Sequence, residues 1–89
     1  MERNEQRLYA ILLAYFDDDI LLLQEELKII EKKVQLSQDK RESIRDPLQR
    51  SLIDREIECR NGEYAHTLKI LQAMIARANR LREKLSGED

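Results

Sequence analysis

The sequence predicts an all-α fold: a long antiparallel, coiled-coil-like helical hairpin, completed as a four-helix bundle by dimerisation. Three observations carry this. The 89-residue chain is 38% charged yet has only two glycines, one proline and no tryptophan, a composition rich in helix formers and nearly empty of turn and strand punctuation. Its apolar residues recur with heptad spacing in two long stretches separated by one polar segment. A chain this short also buries little apolar surface against its conformational entropy. One cysteine, Cys59, and one histidine, His66, supply neither an internal disulfide nor a structural zinc site, so oligomerisation is the remaining route to stability.

The first helix is expected over about residues 4–37. Leu13, Phe16, Ile20, Leu23, Leu27, Ile30 and Val34 follow an unbroken alternation of three- and four-residue steps, which marks the seam of a coiled coil. A second row, Leu8, Tyr15, Leu22, Ile29 and Leu36, repeats every seven residues and lies about 100° around the helix from one edge of the seam. One seam needs one neighbour. The second row asks for another, and it is the expected protein interface.

The polar segment "SQDKRESIRDPLQ" interrupts the pattern, placing the connection at about residues 38–46. Asp46 is suited to cap the next helix, Pro47 to occupy its first position and Gln49 to reach back as in a capping box. The second helix is expected over about 47–85. Its seam reads Ile57, Asn61, Tyr64, Leu68, Leu71 and Ile75, continues through Ala78 and Leu85, and has Arg82 at a second polar interruption. Asn61-Gly62 is a strong turn signal, but the heptad phase is kept across it, which favours one continuous helix. Asn61 is then either a buried residue that fixes register or a hydrated defect beside Gly62. Folding back near residue 42 pairs residue i with roughly 84−i, setting Leu27 against Ile57 and Phe16 against Leu68. The whole chain, 1–89, is one helical domain.

Charge and motif content narrow the function. The net charge is −2, too small to attract nucleic acid or an anionic membrane by an overall field. Residues 1–38 hold 5 basic and 8 acidic side chains, whereas residues 39–89 hold 11 and 10. The apolar run Leu8–Phe16 is far short of the ~20 residues a membrane span needs and has no cleavage-site pattern. With one thiol and no export signal, a cytoplasmic location is expected.

Asp17, Asp18 and Asp19 point about 100° apart on a helix, and the positions three or four residues away hold no metal ligand and no cation. They read as an acidic collar whose partners lie across the bundle, near His66 and Lys69 on the expected register. His66 has no nucleophile spaced to work with it, and Cys59 lies away from the seam. Two glycines form no phosphate loop. No enzyme activity, cofactor, metal or small-molecule substrate is therefore expected.

The remaining site candidate is the basic cluster Arg77, Arg80, Arg82 and Lys84, where a helix meets phosphates in the alternative reading of a nucleic-acid-binding bundle. Its ordinary reading is dipole complementation at a helix C-terminus. The preferred function is protein–protein association: a homodimer, or an assembly module, adaptor or chaperone, acting through apolar helix faces.

Overall fold

A computed structural model describes residues 2–87. They form two helices, α1 (Glu2–Ser43) and α2 (Pro47–Ser86), packed as an antiparallel hairpin. The molecule measures 67 × 14 × 14 Å with a radius of gyration of 19.9 Å, against about 12 Å for a compact domain of this length. It is a rod two helices wide.

The connection is shorter than the polar segment suggested, spanning only residues 44–46. Gln38, Lys40, Arg41 and Glu42 are polar but good helix formers. Gln35 donates to Asp39 one turn on, at 2.9 Å. The heptad phase also continues past Val34 through buried Ser37 to half-buried Arg41 and Ile44. The helix stops where Pro47 forces the preceding residue out of the α region: Asp46 sits at φ −71°, ψ 121°. Asp46 is the N-cap residue and Pro47 begins the helix, but the Asp46 side chain makes no capping hydrogen bond. The first contact of that turn is instead the Arg50 N–H donating to the Asp46 carbonyl at 3.0 Å.

On α1 the seam follows the sequence pattern. Leu27 and Ile30 are buried, and Leu13, Phe16, Ile20, Leu23 and Val34 are half-buried. On α2 the phase differs. Ile57, Tyr64 and Leu68 are half-buried and Leu71 is buried, but Asn61, Ile75 and Arg82 are exposed. The row that joins the seam is Ile53, Arg60, Thr67, Met74 and Leu81, with Ile53 and Thr67 buried and the others half-buried.

The reason lies one heptad upstream. Two rows flank the central line Ile57/Tyr64/Leu71/Ala78/Leu85. Extended backward, the Asn61 row reaches Asp54, whereas the Arg60 row reaches Ile53 and so brings in more apolar surface. Arg60 and Arg41 lay their stems along the seam and keep their heads in solvent, Arg60 toward Glu63 at 3.2 Å and Arg41 toward Asp54.

The register differs accordingly. Arg41 meets Asp54, Glu31 meets Tyr64 and Tyr9 meets Lys84, which pairs residue i with roughly 95−i, about three helical turns from the 84−i register. Leu27 therefore lies level with Thr67 and Phe16 level with Ala78, which is wholly buried. The short turn and the unbroken phase together impose this alignment.

α2 runs through Asn61-Gly62 without a break. A Cβ added at Gly62 meets nothing within 4 Å, so the glycine relieves no crowding and has only its entropic cost. Gly62→Ala should accordingly stabilise the fold by about 1 kcal/mol, read as a higher urea midpoint at unchanged slope. Leu71, buried at the centre of the seam, should behave oppositely: Leu71→Ala should cost ~2–4 kcal/mol in the same titration.

Candidate protein-binding face

The row Leu8, Tyr15, Leu22, Ile29 and Leu36 lies on the outer side of α1, where α2 does not reach. Its residues are 55%, 65%, 68%, 53% and 67% exposed, so the hairpin leaves the entire row in solvent. Regular seven-residue spacing on one long helix turns five separate side chains into a straight stripe. Such a stripe is more than the scattered apolar residues of an ordinary surface.

Sequence reasoning missed part of the apolar surface. Ile11, Leu12 and Leu21 of α1 and Leu48, Leu52, Ile70 and Ile75 of α2 are also exposed. For Ile11 and Leu12 the signal was the uninterrupted run Leu8–Phe16, which is apolar all round and thus cannot be covered by one neighbour. Near that end, Leu12, Phe16 and Leu81 line a shallow notch together with Arg77, Arg80 and Lys84.

Two of the four cations of the basic cluster make contacts across the hairpin. Arg82 donates to the Asp17 carboxylate across the hairpin, and the Lys84 ammonium sits 5.3 Å from the centre of the Tyr9 ring, a cation–π distance. The aspartate triplet divides likewise. Asp17 is half-buried beside Arg82, which replaces the partners His66 and Lys69 expected on the other register, while Asp18 and Asp19 remain exposed. Both members of the Asp17–Arg82 pair are well hydrated, so the pair is worth at most about 1 kcal/mol.

His66, Cys59 and Asn61 are all exposed, and Asn61 lines an open depression with Glu31, Val34, Gln35 and Tyr64. Among the described residues no three His, Cys, Asp or Glu side chains gather to hold a metal ion, and no helix is long and apolar enough to cross a membrane.

One polar contact ties the helices at mid-length. The Tyr64 hydroxyl donates to the Glu31 carboxylate at 3.0 Å, and this bond, with the repulsion between that carboxylate and a phenolate and a little desolvation, raises the Tyr64 pKa above 10.0.

These features define a class: a thin antiparallel coiled-coil hairpin with an apolar stripe on its outer surface. No protein-family model, curated protein or solved structure matches the chain.

The Tyr64 contact can be tested directly. A raised folded-state pKa means the contact contributes stability that is fully present below the unfolded value and is lost as pH rises through the folded one. With Tyr9 and Tyr15 both replaced by Phe, ultraviolet titration of the single remaining tyrosine should show a midpoint above pH 10. Adding Glu31→Gln should move that midpoint back down.

Proposed function

We propose that this chain is a non-enzymatic protein–protein interaction module, a small helical assembly, adaptor or chaperone-type protein that works through the outer face of α1. The observation that carries the reading is the exposed Leu8/Tyr15/Leu22/Ile29/Leu36 stripe. A hairpin with a single seam has few fully covered side chains, and a neighbour laid along the stripe would add a second seam and complete a four-helix bundle. The first candidate for that neighbour is another copy of the chain. An exposed lone thiol, Cys59, suits a reducing compartment such as the cytoplasm.

The nucleic-acid reading has less support, since Arg82 and Lys84 are already engaged within the hairpin. Salt separates the two, because phosphate binding weakens steeply with ionic strength whereas an apolar interface does not.

Leu22→Glu combined with Ile29→Lys tests the stripe at constant net charge. Both residues lie outside the seam, so helicity should persist while self-association in sedimentation equilibrium at micromolar concentration is lost. A wild-type protein that stays a folded monomer at those concentrations would remove self-assembly from the reading. An assembly unchanged by the double substitution would remove the stripe.

A further inference from the structure

The stripe on α1 is bordered by charge of changing sign. On the helical wheel Asp18, Glu25 and Lys32 flank it on one side and Asp19, Glu26 and Lys33 on the other, each within about 60° of the row, and all six are exposed. Along α1 the acidic members come first. Between residues 17 and 26 there are five carboxylates and no cation, whereas from 28 to 41 there are five cations and two carboxylates. A parallel copy would set like charges opposite like. An antiparallel copy sets acid opposite base on both borders.

From this charge pattern we infer that the occupant of the stripe is a second copy of the chain, its α1 antiparallel to the first, with Ile29 of each copy meeting at the two-fold axis. The inference rests on the reading of the stripe as an interface and adds the partner, its direction and its register. With Ile29 on the axis, Leu22 packs against Leu36 of the partner subunit. Glu25 then comes beside the partner's Lys32, Glu26 beside the partner's Lys33 and Asp19 beside the partner's Lys40, each twice by symmetry.

The opposing term is the approach of Asp18 to the partner's Asp39, at the edge of the overlap. Leu8 extends past the partner's turn. Sliding by one heptad brings Glu25 and Glu26 against their own copies, and a second heptad sets Asp18 and Asp19 against the partner's Glu25 and Glu26. Like charges meet at the centre in both alternatives, so the borders select the register that the apolar row alone leaves open.

Charge exchange tests this on the full chain. Lys32→Glu/Lys33→Glu and, separately, Glu25→Lys/Glu26→Lys each turn four attractive pairs into repulsive ones. Each should raise the dimer Kd by roughly tenfold to a hundredfold at low salt. The quadruple variant exchanges both sides together and should return the Kd to near the wild-type value. Glu25 also pairs with Lys28 within its own helix at 3.3 Å, so the readout is the dimer Kd from sedimentation equilibrium and not the melting temperature.

A second measurement involves no charge change. In a Cys59→Ser background, oxidised Ile29→Cys should give a covalent dimer of wild-type helicity, and Leu22→Cys should not. A monomeric wild type would overturn both this inference and the self-assembly reading beneath it. A dimer that ignores the double reversals, fails to recover in the quadruple variant, or cross-links at Leu22 in preference to Ile29 would overturn the inference while leaving the stripe an interface.

Discussion

A pair of helices has only one seam, and each side chain in it is covered from one direction. This constraint governs the rest of the molecule. Among the described residues no large side chain is fully enclosed, and wholly buried Ala78, level with Phe16, owes its cover to its small size. Ser37 and Thr67 are buried in the same seam as Leu27 and Ile30, because a two-helix layer leaves hydroxyls close to solvent. The 14 Å thickness of the rod also means that whatever projects from the outer side of α1 is solvent-exposed.

Electrostatics follows from the same geometry. The cross-hairpin contacts, Arg41 with Asp54, Tyr64 with Glu31 and Arg82 with Asp17, link the two helices along the length of the hairpin. They are exposed and individually weak, yet all are compatible with one alignment of the helices. Such contacts discriminate between registers more than they stabilise any of them. The same logic applied to the outer stripe of α1 underlies the proposed antiparallel pairing with a second copy.

Much of this was legible in the chain itself. The heptads of α1, the start of α2 at Pro47, the helical course through Gly62 and the outer stripe are all local consequences of spacing and propensity. Residues 38–43 were harder, since their polarity resembles a loop while their helix propensity and their phase through Ser37 and Arg41 continue α1. The seam phase of α2 depended on a comparison of two rows, and Ile53 against Asp54 was the signal that favoured the Arg60 row.

The sequence by itself determined that the chain is two amphipathic helices with one stripe too many for a lone hairpin, because periodicity is a property of each helix alone. Only the tertiary structure decided the alignment of the helices, and with it that Arg82 rather than His66 or Lys69 meets Asp17 and that Asn61 and Ile75 face solvent. An antiparallel seam can slide by whole heptads while keeping apolar against apolar. The length of the turn and the flanking charges, which act between helices, stop it at one position.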